Sequence, residues 1–254
     1  LAMAGESYTD EVLVLQVKNW QTADKQAVCL SREHGKIVCM AYGARYAKSA
    51  VGRLLQPFAC LQAEFYPGVR VDKLKTCELA GPMPAFTLPQ LAYGALMAEV
   101  TEILTEQGEP AAAIYKLLQQ SLAVLVRRNP RLVSLAYIIK LLDLCGIGPV
   151  YEVCVNCSCP AAGDGWFSNE QGGLICVSCV AALPKAERLP FAEETRSLWR
   201  QLRLLDLSSD ERFSVKGGAL MELERILHSY LLYQTDHPLK TLEFIRQLGN
   251  GDRY

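Results

Sequence analysis

The sequence predicts an α+β multidomain chain: a small N-terminal β-barrel, then an all-helical domain interrupted by an inserted four-cysteine unit. Three observations carry this. Five short apolar runs, bounded by turn residues, fill residues 8–80 without a long helical pattern. Past Gly81-Pro82-Met83-Pro84, apolar residues recur at i, i+3 and i+4. Between two helical stretches lie Cys154-Val155-Asn156-Cys157 and, 18 residues later, Cys176-Val177-Ser178-Cys179.

The chain has 254 residues, 50% hydrophobic and 21% charged, with a net charge of -1. That is enough apolar material for two to three small cores, and too much for a disordered chain. The net charge announces no nucleic-acid partner, so only local clustering of cations could do so. Ten cysteines raise the question of a secreted disulfide protein. The stretch Leu1–Glu6 has neither a basic region nor an apolar run, so no secretion signal is expected. Cys29, Cys39, Cys60, Cys77 and Cys145 stand singly in apolar runs, where a thiol packs as a small hydrophobe. A reducing cytoplasmic setting follows as the expectation. No apolar stretch is long enough for a membrane span.

The strand candidates are Val12–Val17, Gln26–Leu30, Lys36–Tyr42, Phe58–Tyr66 and Leu74–Leu79. Arg32-Glu33-His34-Gly35 reads as a hairpin turn, and Pro67-Gly68 as another. Five short strands suit a closed barrel of the OB type or an SH3-like one, and periodicity does not choose. The breaker cluster sets a boundary: 1–82 barrel, 83–254 helical domain, 151–182 excursion.

Leu88 to Val100 begins the first helix, with its end at Gly108-Glu109-Pro110. Ile114, Leu117, Leu118, Ser121, Leu122 and Leu125 form the next stripe, broken by Asn129-Pro130. Leu132–Cys145 is apolar on nearly all sides, as the central helix of a bundle would be, and Gly146 stops it. Helices over Glu193–Leu205 and Ala219–Gln234 follow, then a turn at His237-Pro238 and a last short helix. Gly217-Gly218 reads as a turn, since no phosphate-loop pattern surrounds it. His228, among apolar neighbours, reads as a core histidine.

The paired cysteines carry the most specific chemistry. Two residues between sulfurs let a tight turn set both on one edge of a tetrahedron, with Zn–S near 2.3 Å. Cys154, Cys157, Cys176 and Cys179 are the predicted ligands of one structural zinc in a zinc-ribbon-like unit, and Cys159 is an extra cysteine. A redox dithiol is the rival, against which the second pair argues. A catalytic zinc would want an open position, and no histidine lies in the segment.

The second constellation is basic. From Arg32 to Arg53 stand Arg32, Lys36, Arg45, Lys48 and Arg53 against Glu33 alone. Such cations can neutralise phosphates, while Tyr42 or Tyr46 can stack on exposed bases. The bland alternative is a solvated loop. A third cluster, Arg127, Arg128 and Arg131, sits where a helix should end, where cations complement the helix dipole. It could instead dock an acidic peptide.

These residues together resemble the RecO family of bacterial recombination mediators. The matching pieces are Thr22-Ala23-Asp24-Lys25, Ser31-Arg32-Glu33-His34-Gly35-Lys36, Ala41-Tyr42-Gly43-Ala44-Arg45 and Leu55-Gln56-Pro57-Phe58. Gly146-Ile147-Gly148-Pro149 and His237-Pro238-Leu239-Lys240-Thr241 also match, as does the paired Cys-x-x-Cys. The resemblance implies an N-terminal OB-fold, and a helical domain with a zinc-ribbon-like excursion. It implies binding of single- and double-stranded DNA, annealing of complementary strands and partnership with RecR. It also implies contact with the C-terminal tail of the single-stranded-DNA-binding protein, SSB, and help for RecA in replacing it. The DNA surface so implied is Arg32, Lys36, Arg45, Lys48 and Arg53. Arg127, Arg128 and Arg131 are the candidates for the SSB tail. The rival classes are a zinc-dependent hydrolase and a protein adaptor that binds no DNA.

Overall fold

The computed structural model describes residues 6–207, 209 and 214–251. The chain falls into two compact units. One takes in the chain up to Pro130 and again from Thr241; the other is Arg131–Lys240.

In the first unit β1 (Tyr8–Trp20), β2 (Asp24–Ser31), β3 (Gly35–Ala41), β4 (Cys60–Tyr66) and β5 (Asp72–Leu79) close into a barrel of order β1-β2-β3-β5-β4. Every pairing is antiparallel except β3 with β5, where Cys39 faces Asp72 and Met40 faces Lys73. Five strands in this order, with a helix between β3 and β4, give an OB-like barrel, which settles the choice left open by periodicity. That helix, α1 (Ala50–Leu54), is one turn long and lies inside the basic link.

Small inward residues let so narrow a barrel close. Ala27, Ala41, Ala59 and Ala63 share the interior with Val12, Val14, Cys29, Cys39 and the one large ring, Phe65. A bulge between Val14 and Gln16 shifts the alternation of β1, so Val17 also turns inward. Leu13 and Leu15 are buried on the other face of β1, where α2 (Leu88–Leu104) packs. This is why the stretch reads as continuously apolar. Cys29 and Cys39 are fully buried, while Cys60, Cys77 and Cys145 are half-buried.

The turn between β2 and β3 is tied down from both sides. Ser31 Oγ accepts from the backbone N–H of His34 at 2.9 Å and itself donates to the buried Asp10 carboxylate. His34 Nδ1 lies 2.8 Å from the same carboxylate oxygen. On the outer side, Lys36 N donates to Glu106 O at 3.1 Å and Gly108 N to His34 O at 3.1 Å. Gly35 has φ of +63°, and a Cβ there would stand 2.0 Å from Glu109 O. The helix α2 therefore ends at Leu104, before the expected Gly108, because the next residues pair with this turn. Helix α3 (Ala112–Val124) follows, and α7 (Lys240–Gly251) belongs to the same unit. Thr241 anchors α7: its N–H and Oγ1 both donate to Glu99 Oε2, at 2.9 and 2.5 Å.

The second unit is built on α4 (Pro130–Leu144), in which Val133–Ile139, Leu141 and Leu142 are all buried. A three-stranded sheet of order β7-β6-β8 comes next: β6 (Gly165–Ser168), β7 (Gly173–Ile175) and β8 (Leu189–Phe191). Helices α5 (Glu193–Leu204) and α6 (Gly217–Thr235) pack against it. Gly217-Gly218 is not the expected turn; it opens α6. His228 is half-buried on that helix. Phe167 of β6 lies with its ring 5.5 Å from Phe191, 5.6 Å from Tyr230 and 6.5 Å from Trp199, one aromatic cluster joining sheet and helices. The buried Arg196 of α5 donates to Phe191 O at 2.9 Å and to Gly163 O, which clamps the sheet onto the helix.

Candidate metal centre and nucleic-acid interface

The two Cys-x-x-Cys turns flank the β6–β7 hairpin, which folds them together. The four sulfurs of Cys154, Cys157, Cys176 and Cys179 lie within 4.8 Å of one another, with Cys157 and Cys176 at 3.7 Å. A tetrahedron with 2.3 Å metal–sulfur bonds has edges of about 3.8 Å. Cys154 is buried and Cys157 exposed, so the site sits at the surface with one edge inside. Cys159 is not among the four. Its carbonyl accepts from Cys154 N at 2.9 Å, a backbone part in the first turn, and its side chain is exposed.

The thiols show what this crowding requires. Burial pushes Cys154 up, but the backbone N–H groups of Cys176, Cys157 and Asn156 outweigh it and bring the thiol down to about 6. Cys179 is pushed up to about 12 by its hydrogen bonds with the Cys176 and Cys157 side chains and by burial. Four thiolates this close repel one another. A divalent cation at the centre removes the conflict, and the sulfurs leave it no open coordination position.

The structure divides the basic segment between two ends of the barrel. Lys25 of β2 pairs with Ala41, so the loop after β3 lies at the Asp24 end, while Arg32 and Lys36 flank the turn beyond Ser31. The ends are about 23 Å apart along β2. At the first end Arg45, Tyr46, Ser49 and Arg53 line a shallow cleft of about 360 Å³ with Lys25. Arg45 N donates to Ala23 O at 2.9 Å and its guanidinium to Gln21 O at 2.7 Å, which fixes the loop on the β1–β2 turn. Tyr42 and Tyr46 are 62% and 67% exposed, and Trp20 beside them 46%. Lys48 and Arg53 point to solvent. At the other end Arg32 is exposed, while Lys36 Nζ donates to Glu102 O at 2.8 Å, within the last turn of α2.

Sequence reasoning passed over a row that only strand register creates. Lys18 faces Gln26, Gln26 faces Met40, Met40 faces Lys73 and Lys73 faces Tyr66. Paired residues share a face, so these five side chains lie on the outward face of the barrel at right angles to its strands, with Met40 buried in the middle of the row. Lys73 Nζ also stands 5.7 Å from the centre of the Tyr42 ring, which joins the row to the exposed aromatics. The only sequence signal for Trp20 and Lys73 is a polar or aromatic residue at the outward position of a strand.

Among the described residues Lys18, Arg32, Lys48, Arg53, Arg70 and Lys73 have no carboxylate partner. In the second unit Arg131 pairs with Glu224, Arg200 with Glu152, Arg203 with Asp143 and Lys216 with Glu194, while Lys185, Arg188 and Arg225 have no carboxylate partner among the described residues. Arg127 and Arg128 follow the end of α3, where both N–H groups donate to Val124 O at 3.0 Å. Arg131 is held bidentately by Glu224, both contacts being 2.5 Å.

Residues 3–83 match the family model for the N-terminal part of recombination protein O, and residues 85–243 match that for its C-terminal part. The chain belongs to the RecO family. It is 30% identical over 250 residues to the DNA repair protein RecO of Pelotomaculum thermopropionicum, covering 96% of this chain and 95% of that one. The RecO of Symbiobacterium thermophilum is 30% identical over 253 residues, 96% and 98% of the two chains. That of Moorella thermoacetica is 28% identical over 247 residues, 95% and 91%. The resemblance read from scattered motifs thus holds over both parts of this RecO-family chain, and its OB-like barrel is the part matched by the N-terminal model. No helix among the described residues is long and apolar enough to cross a membrane.

Proposed function

We propose that this chain is a non-catalytic mediator of homologous recombination and repair. It binds single- and double-stranded DNA on the barrel, anneals complementary strands, works with RecR and promotes loading of RecA onto SSB-coated single strands. The supporting observation is electrostatic: the barrel keeps a set of cations without carboxylate partners beside three exposed aromatic rings. Phosphates go to Arg45, Lys48 and Arg53, with Arg32 and Lys36 at the far end of the barrel; Tyr42 and Tyr46 stack on bases. The acidic SSB tail goes to the arginines that follow α3, Arg127, Arg128 and Arg131, the last of which also holds Glu224.

The barrel, 1–82, is the nucleic-acid-binding domain. The rest, 83–254, is the helical domain, with 151–182 as its metal-binding excursion. One zinc ion on Cys154, Cys157, Cys176 and Cys179 is structural, and the protein works in the cytoplasm. The deciding experiment is annealing of SSB-coated complementary strands with and without the protein, together with Arg45→Glu, Lys48→Glu. The double variant should keep its fold and lose affinity for single strands at low salt. Unchanged binding removes this loop from the interface, and failure to anneal coated strands removes the mediator reading.

A further inference from the structure

A second cleft lies between the β2–β3 turn and the loop that joins β4 to β5. It measures about 460 Å³, and its walls include Tyr8, His34, Lys36, Val38, Val69 and Arg70. These walls are fixed. Asp72 Oδ1 accepts from Gly68 N at 2.8 Å, and its other oxygen accepts from the Tyr8 hydroxyl. A Cβ on Gly68 would stand 2.0 Å from Val71 O, so the loop is a tight turn. Gln107 Nε2 donates to Arg70 O at 3.4 Å from the opposite side. Val69 stands at the tip of this pinned loop with 100% of its surface exposed.

The polar groups converge on the same space. His34 Nδ1 faces Asp10 at 2.8 Å, which leaves its Nε2 for another partner. Its ring lies 4.7 Å from that of Tyr8. Lys36 gives one hydrogen to Glu102 O and keeps two. Arg70 has no carboxylate partner among the described residues. The one carboxylate in the lining, Asp72, has both oxygens engaged. Cations on a rim around an apolar wall fit a nucleotide better than either a bare anion or a lipid. The cleft also adjoins the row across the barrel, because Val38 of its lining and Met40 of the row are two residues apart on β3 and share the outward face.

We propose that this cleft seats one unstacked nucleotide of a single strand bound on the barrel. The base lies against Val38 and Val69, and its phosphate faces Lys36, Arg70 and His34. Contact is through the face of the base, so any base is accepted. The inference rests on the DNA-binding reading above and adds where the strand leaves the open face.

The test uses the full chain with isotope-labelled valine methyl groups and two strands of equal length, an oligothymidylate and its abasic counterpart. Binding is followed by fluorescence anisotropy. With oligothymidylate, the ring current of a seated base shifts the Val38 and Val69 methyl resonances; with the abasic strand they stay in place although the strand binds. Val69→Ser should weaken oligothymidylate about fivefold and leave the abasic strand unchanged. Arg70→Ala should weaken both strands and lower the salt slope by about 0.7. Oligothymidylate bound with both valines unmoved overturns the cleft and leaves the DNA-binding reading intact. Failure of both strands to bind overturns both readings.

Discussion

Replacing Lys18 and Lys73 together by alanine tests the register-built row directly. The two lysines stand at outward positions of β1 and β5, three strand spacings apart, about 14 Å. Both are exposed and neither has a carboxylate partner among the described residues, so their loss strands no buried charge. Stability should therefore change by less than about 0.5 kcal/mol. Binding should change much more. Each phosphate neutralised on a single strand contributes about 0.7 to the slope of log affinity against log salt, so removing both lysines lowers it by about 1.4. At about 0.1 M salt the missing counterion release amounts to roughly 25-fold in affinity. A salt titration of a labelled single strand by anisotropy reads both quantities. Lys216→Ala is the control, because Lys216 is already paired with Glu194 at 2.6 Å and lies in the other unit. A slope equal to that of the unaltered protein would refute the row as a phosphate path, whatever the change in affinity.

Trp20→Ala and Tyr42→Ala should each cost about 1 kcal/mol of single-strand binding without altering the salt slope, since stacking releases no counterions; a changed slope would assign the rings to another task. Gly35→Ala meets both a positive φ and the Glu109 carbonyl, so thermal unfolding should show a loss of about 2 kcal/mol or more, and a stability equal to wild type would mean the turn rearranges freely. Acidification should release the metal, because protons compete for the four thiolates; metal analysis after dialysis should find close to one zinc per chain at neutral pH and a steep fall below the thiolate range.

The barrel was legible because its strands obey local rules. Each apolar run is bounded by Gly, Pro or a polar turn, and every expected strand is present, although β1 starts four residues earlier and ends three later than expected and β4 starts two residues later. What was missed is what local pattern does not carry. Helix α1 has five residues, too few for a helical period to appear. Strand β8 has three residues with Pro190 in the middle, a residue that argues against a strand unless it lies on an edge, as β8 does. The candidate interface was half legible. A window of charge from Arg32 to Arg53 marks the loop after β3, but it joins residues that the barrel separates and omits Lys18 and Lys73, which it brings into line. Lys36 shows what a charge count leaves out: one of its three hydrogens already serves a helix terminus.

The excursion poses a related question, whether the metal or the apolar core holds it. Taken from sequence, the segment is too small to bury a core and should depend on zinc throughout. The structure divides that dependence. Phe167 of β6 is fully buried against Phe191, Trp199 and Tyr230, and Asn169 Nδ2 donates to Ser229 Oγ at 2.6 Å, so the sheet is moored to α5 and α6 by contacts that need no ion. The two cysteine turns have few such ties: Cys157 is exposed, Val177 is 66% exposed, and backbone hydrogen bonds such as Cys179 N to Cys176 O at 3.0 Å lie within a turn. Chelation should therefore loosen the turns and spare the sheet. In hydrogen exchange, the amides of Cys157–Cys159 and Val177–Cys179 should exchange at rates near those of an open loop once zinc is removed. Those of Trp166 and Phe167 should keep most of their protection, because opening them requires breaking the aromatic cluster. If the β6 amides lose protection together with the turns, zinc is the keystone of the whole sheet and the aromatic cluster does not hold it alone.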